Sequence, residues 1–231
     1  MNFHSVNTLS ESKAREEICR VGFSLFQRGY VHATAGNISM RISNGFLITP
    51  TDACLGNLDP ASLALLNTNG TQISGNKASK TIAMHRQIYS ASDHALGSHP
   101  AQCVIHTHST HCVSLSLNAQ GPELLPPITP YFVMKVGHVP LIPYFRPGDP
   151  EAAKAVAQTI AQFAQKGTPI RAVMLAKLGP NVWHQDLASA MATLEELEET
   201  AKLMQLNSGH PPPDLSASQI EELRQTFGAA W

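Results

Sequence analysis

Two histidines separated by one residue, His106 and His108, end the short apolar run Cys103–Ile105. The run predicts a buried strand, and residues two apart on a strand share a face. The two imidazoles could therefore meet one cation, and imidazole nitrogen suits zinc or another first-row metal. The spacing also allows a second interpretation, a pair of histidines lining an ordinary polar cleft. If the strand continues, His111 points to the opposite face of the sheet, so it is a weaker candidate for a metal ligand than the pair.

The elements that must position this pair alternate between helical and extended patterns. Apolar residues at helical spacing predict helices after Ser79, after Asp149-Pro150 and over 187–206, while the Asn44-Gly45 and Asn69-Gly70 pairs predict hairpins. A mixed α/β domain with a central β-sheet flanked by helices accommodates both patterns. We expect this domain to span residues 1–210, followed by a C-terminal tail, 211–231, with a short helix.

Composition excludes several classes of function. The chain has 231 residues, of which 43% are hydrophobic and 14% charged, and a net charge of −1. With no block of like charge, neither a nucleic-acid groove nor a basic membrane surface is expected. No apolar run approaches the roughly 20 residues that span a bilayer. The four cysteines form no CxxC pair, and no signal peptide is visible, so a cytoplasmic protein is expected.

Several segments together resemble the class II aldolase/adducin family, and within it the 3-oxo-tetronate 4-phosphate decarboxylase branch. The resemblance runs nearly end to end. The segments 129–137 and 143–149 are the ones that favour the decarboxylase branch over the sugar-phosphate aldolases. The matching segments are 26–30, 35–39, 49–60, 74–80, 106–110, 129–137, 143–149 and 195–202.

The resemblance implies a divalent metal, usually zinc, held by the His106/His108 pair and a third histidine. It also implies a phosphate pocket formed by Asn37, Thr51, Ser79 and Lys80, and a homotetramer as the assembly. The pocket makes chemical sense, because a phosphate dianion is bound well by amide and hydroxyl donors, a cation and a helix N-terminus. A plain helix cap is the alternative role for Ser79.

Two positions depart from the family pattern. Thr81 stands where the family carries its acid–base glutamate, four residues before His85. Leu178 stands before Gly179 where the family carries the third histidine. Threonine exchanges no proton near neutral pH without an adjacent base, and leucine binds no metal.

Three explanations follow from these departures. The metal set could be completed by His138, His111 or a carboxylate, with the proton delivered by water or Tyr131. A lysine, Lys80 or Lys177, could instead form a Schiff base with a ketone substrate. Alternatively, the chain could keep the fold for binding or assembly without turnover.

The first explanation predicts a metal-dependent lyase that removes carbon dioxide from a small phosphorylated 3-oxo acid and leaves a ketose phosphate. Thr81 and Tyr131 are then the candidate catalytic residues. The alternatives are a sugar-phosphate aldolase or epimerase of the same family, and a phospho-ligand-binding or scaffold relative.

Overall fold

The computed structural model describes residues 10–97 and 99–231. Six α-helices and eight β-strands are assigned in that part of the chain. The helices are α1 (Glu11–Gln27), α2 (Ile82–Ala95), α3 (Thr110–Asn118), α4 (Pro150–Gln165), α5 (Leu187–Leu206) and α6 (Ala217–Phe227). The strands are β1 (Asn37–Ile42), β2 (Gly45–Ile48), β3 (Ala64–Asn67), β4 (Gln72–Ser74), β5 (Cys103–His106), β6 (Leu141–Ile142), β7 (Ala172–Leu175) and β8 (Gly179–His184).

All eight strands form one mixed sheet in the order β4-β3-β2-β1-β5-β8-β7-β6. The pair β6–β7 is parallel and the remaining neighbours are antiparallel. The strand that carries His106 therefore lies between β1 and β8, near the middle of the sheet. A central position gives this strand two hydrogen-bonded neighbours, which fixes its backbone from both sides.

Helices cover both faces of the sheet. Helices α1 and α5 pack on one face through a core that includes Ile18, Leu194 and Ile105. Helices α2 and α4 pack on the other face, where Val104 is buried with Ile88. Because side chains alternate along a strand, His106 shares the face of Val104 and points toward α2 and α4.

The predicted fold class, a mixed sheet flanked by helices, is confirmed. The two hairpins and the helix over 187–206 are present as predicted. The predicted extension of the histidine strand as far as His108 is wrong. Strand β5 ends at His106 and α3 begins at Thr110, so His108 lies in a short connection rather than on the strand. Within the described residues, no helix combines the length and the apolarity needed to cross a bilayer.

Candidate active site

A cavity of about 370 Å³ opens on the face of the sheet that carries α2 and α4. Its wall combines the connection before β1, the segment before α2, the segment before α4 and the turn between β7 and β8. His106 and His108 line it together. Since these parts are far apart in sequence, the cavity depends on the order of the strands in the sheet.

A row of three polar side chains crosses the floor of this cavity. Asn37 on β1 pairs in register with His106 on β5, and His106 pairs in register with Asn181 on β8. Directly paired residues on neighbouring strands present their side chains on the same face. All three are buried and line the cavity. The Oδ1 atoms of both asparagines are buried without a hydrogen-bond partner among the described residues.

His106 is held in one tautomer. Its Nδ1–H donates to the carbonyl oxygen of Pro180 at 3.0 Å, so the Nε2 lone pair of the neutral ring remains available. Burial, followed by the neighbouring His108, lowers the pKa of His106 to about 3. The ring centroids of His106 and His108 lie 5.1 Å apart. Burial and His32 also lower the pKa of His108, so both imidazoles are neutral, the form that binds a metal.

A third imidazole, His85 of α2, lies behind this row. Its Nδ1 is 2.7 Å from the hydroxyl of Ser39, and that hydroxyl is 2.7 Å from the hydroxyl of Tyr89. Burial and the neighbouring His106 lower the pKa of His85 to about 3. The chain of hydrogen bonds orients the His85 ring and ties α2 to β1.

The residues expected to bind phosphate line one side of the same cavity. Asn37, Thr51, Ser79 and Lys80 are all among its lining residues. Gly36 brings the first loop close, because a Cβ at its φ of +83° would come within 2.9 Å of the His106 carbonyl oxygen. The side chain of Lys80 is exposed, and Ser79 is buried.

The alternative role of Ser79 as a plain helix cap is not observed. Helix α2 begins at Ile82 with Thr81 as its N-cap, later than the predicted start at Ser79. The hydroxyl groups of Ser79 and Thr81 lie 2.9 Å apart. Thr81 therefore lines the cavity as a neutral hydroxyl, where a carboxylate was expected from the family pattern.

The turn between β7 and β8 carries Leu178 to the cavity wall. Gly179 fixes this turn against the histidine segment, because a Cβ on Gly179 would lie 1.9 Å from the carbonyl oxygen of Thr107. The leucine thus occupies a position beside the two histidines, and its side chain offers them no donor.

Tyr131 and Lys177 are not among the residues that line this cavity. Tyr131 precedes a π-helical turn, Phe132–Val136, and 61% of its surface is exposed. The expectation that Tyr131 delivers a proton within the same chain is therefore not supported by its position. Lys177 is exposed on the β7–β8 turn. The geometry leaves only Lys80, at the cavity wall, as a lysine for the Schiff-base alternative.

His111 and His138 do not lie in the cavity with His106 and His108. His111 lies in α3, where its Nδ1 is 2.8 Å from Oε1 of Glu198. His138 pairs with Glu123 at 2.9 Å, and its ring stacks on Trp231 with 4.2 Å between centroids. Neither histidine lines the cavity. They are therefore not the third donor that the sequence left open.

Glu198 has a positioning role that the sequence did not predict. Glu198 is 5% exposed, and its carboxylate accepts the backbone N–H groups of His111 and Cys112 at 2.9 and 3.0 Å. These N–H groups belong to the first turn of α3, which otherwise has no intrahelical partner for them. Since α3 begins two residues after His108, this cap fixes the chain immediately beyond the cavity.

A divalent cation fits two of the donors present. His106 and His108 are neutral, lie close together, and one is anchored through its other ring nitrogen, as metal-binding histidines usually are. Leu178 supplies no equivalent of the family's third histidine, and Thr81 supplies none of its acid–base glutamate. Within residues 10–97 and 99–231, no cluster of three or more His, Cys, Asp or Glu side chains could hold a metal ion.

Asn181 is the cavity residue that sequence reasoning missed. This polar residue is 1% exposed, and the two residues that follow it, Val182 and Trp183, belong to the apolar core. A single amide directly before the apolar residues Val182 and Trp183 was the available signal. Without the strand order, nothing connected that amide with His106.

The comparisons agree with the resemblance seen in the sequence. The family described as the class II aldolase and adducin N-terminal domain matches residues 16–205. A 3-oxo-tetronate 4-phosphate decarboxylase from Cupriavidus necator is 50% identical over 228 residues, covering 96% of this chain and 99% of the relative. An L-fuculose phosphate aldolase from Methanococcus maripaludis is 31% identical, covering 81% and 92%. The crystal structure of YgbL from Escherichia coli superposes with a TM-score of 0.81 at 40% identity, covering 93% and 99%.

Proposed function

The chain belongs to the class II aldolase and adducin family, and we propose that it is a carbon–carbon lyase that decarboxylates a small phosphorylated 3-oxo acid such as 3-oxo-tetronate 4-phosphate. The observation that carries this proposal is the 50% identity over nearly the whole of both chains with a decarboxylase of that name. The lower identity to a fuculose phosphate aldolase supports decarboxylation over the alternative aldol cleavage. A cytoplasmic location and a tetrameric assembly are part of the same proposal.

The reaction requires an electron sink on the 3-oxo group. The bond between the carboxylate carbon and C2 breaks, carbon dioxide leaves, and the electron pair passes to the C3 oxygen as an enolate. A proton from water then adds at C2 and gives a ketose phosphate, dihydroxyacetone phosphate in the case of 3-oxo-tetronate 4-phosphate. Unlike aldol cleavage, these steps need no carboxylate base at position 81, which is consistent with the presence of Thr81.

In this proposal, the phosphate is bound by Asn37, Thr51, Ser79 and Lys80, and it anchors the substrate away from the reacting carbons. Binding energy from such a remote group can align the carboxylate for loss. His106 and His108 would hold a divalent cation, zinc in the first instance. When bound, the cation would supply Lewis-acid polarisation of the substrate carbonyl.

The direct test is turnover of 3-oxo-tetronate 4-phosphate by the purified protein. Release of dihydroxyacetone phosphate would be followed by its NADH-linked reduction. We expect Lys80→Met to raise KM, because one cationic contact to the phosphate is lost. Lys77→Met is the matched control, since Lys77 is also exposed, lies in the same segment and does not line the cavity. No turnover by the wild type, with or without added metal, would refute the proposal.

A second function, ligand binding without turnover, is favoured by one observation: Thr81 and Leu178 replace the family's functional residues, while the four residues expected to bind phosphate all line the cavity. Under this alternative, a phosphorylated 3-oxo acid or its analogue raises the melting temperature, but no carbon dioxide is released. Trapping with borohydride tests the remaining lysine mechanism. Covalent labelling that disappears in Lys80→Met would establish it.

A further inference from the structure

We propose that Asn181 supplies the third protein donor, its side-chain oxygen, to a divalent cation held by His106 and His108. The inference rests on the proposed function only for the presence of a cation. It assigns a ligand set, two imidazoles and one amide oxygen, that differs from the three histidines implied by the family resemblance.

The first support is position. Asn181 and His106 are directly paired across β5 and β8, so their side chains rise from the floor of the cavity next to each other. Paired residues on antiparallel strands have Cβ atoms about 5 Å apart. The two side chains can therefore converge on one ion placed above the strands.

The second support is the unsatisfied oxygen. Asn181 Oδ1 is buried and has no hydrogen-bond partner among the described residues, while Nδ2 lies 3.8 Å from the sulfur of Met84. A buried carbonyl oxygen without a partner costs free energy. A cation at this point would satisfy the oxygen, and it would also occupy the free Nε2 of His106.

Asn37 is the competing candidate, because it flanks His106 on the other side and its Oδ1 is also unpartnered. The two asparagines lie on opposite sides of the cavity, however. Asn37 is the first residue of β1 and is itself one of the residues expected to bind phosphate. Asn181 lies on β8 only three residues after Leu178, the position of the missing histidine. This places Asn181 on the side from which a third ligand would come.

The donor set has a consequence for metal choice. Imidazole nitrogen suits zinc, cobalt and similar ions, whereas an amide oxygen suits manganese and magnesium. Replacing a third imidazole by an amide oxygen should weaken binding of zinc more than binding of Mn²⁺. The protein should therefore discriminate less between these two ions than the Asn181→His variant, in which an imidazole replaces the amide.

The test is a metal titration of the purified apoprotein, independent of turnover. Co²⁺ binding is followed by its visible absorption and Mn²⁺ binding by electron paramagnetic resonance. We expect Asn181→Ala to weaken the affinity for both ions by at least about 10-fold. Removing a group that merely orients a metal ligand already costs that much, so removing a ligand should cost no less. Asn181→Asp should tighten binding by a similar factor, because it replaces a neutral oxygen with an anionic one.

Asn37→Ala is the matched control, expected to change metal affinity by less than about 2-fold. Equal affinities for the wild type and Asn181→Ala would overturn the proposal. So would an equal loss in the two alanine variants, or a wild type that binds neither ion at millimolar concentration. If Asn181→Ala does not fold, Asn181→Asp decides alone, and affinity no tighter than wild type refutes the assignment.

These results separate the inference from the proposed function. Decarboxylation by metal-free protein would support the proposed function and refute the inference that a cation bound by Asn181 takes part in it. Metal binding that depends on Asn181, without turnover of any phosphorylated 3-oxo acid, would support the ligand set and refute the decarboxylase.

Discussion

Replacing Glu198 with glutamine tests whether the start of α3 is fixed by a buried charge. The carboxylate accepts three hydrogen bonds, two from backbone N–H groups and one involving the His111 ring, at 2.8–3.0 Å. Hydrogen bonds to a charged group contribute about 1.5–3 kcal/mol each. Glutamine keeps one acceptor oxygen, loses the charge and turns an NH₂ group toward the N–H donors. We therefore expect the free energy of unfolding to fall by about 2–4 kcal/mol.

Urea denaturation followed by circular dichroism measures this loss, and the melting temperature should fall by about 4–16 °C. Glu199→Gln is the matched control on the same helix. Its partner Lys202 lies 3.8 Å away on the surface, so the expected change is below about 1 kcal/mol. If the two variants lose the same stability, the buried carboxylate does not hold α3, and the reasoning about its hydrogen bonds is wrong.

Three further outcomes are expected. Thr81→Glu combined with Leu178→His should tighten Co²⁺ binding by about 10-fold or more, measured by titration; no gain would mean that the surrounding residues have also diverged. Burial and Arg171 lower the pKa of His184 to about 4, so between about pH 6.5 and pH 4 the unfolded chain binds a proton that the folded protein does not. The free energy of unfolding should therefore decrease as the pH is lowered through this range, and more steeply in the wild type than in His184→Gln. Urea denaturation at pH 7, 5.5 and 4.5 measures the two slopes, and equal slopes would contradict the expectation. Burial raises the pKa of the Cys103 and Cys112 thiols, so neither should react with a chromogenic disulfide until urea unfolds the protein, which peptide mapping of the labelled cysteines would check.

Local signals in the sequence predicted most elements. Asn44-Gly45 predicted the β1–β2 hairpin, and the hairpin is present, but its two-residue turn is Ser43-Asn44 and Gly45 is already the first residue of β2. Asp149-Pro150 predicted the start of α4, and the Asp149 side chain does accept the N–H of Glu151. In each case the decisive interaction lies within a few residues of the chain.

The contents of the cavity were harder to predict, because they depend on pairings between distant strands. His106 and Asn181 are 75 residues apart, and only the β5–β8 register brings them together. The same limit applies to Tyr131, which is not among the residues that line the cavity. Family resemblance identified which residues were missing, Glu at 81 and His at 178, but it could not identify an amide elsewhere as a replacement.

The close approach of Gly179 to the Thr107 carbonyl oxygen positions the β7–β8 turn, and with it residue 178, relative to the histidine segment. Because the two backbones approach closely enough to leave no room for a side chain at position 179, side chains exchanged for Leu178 would enter the cavity from nearly the same place. Histidine, cysteine, aspartate and glutamate at that one position would give a graded set of ligand chemistries on an unchanged frame. The protein is for this reason a practical scaffold for building metal centres of chosen selectivity.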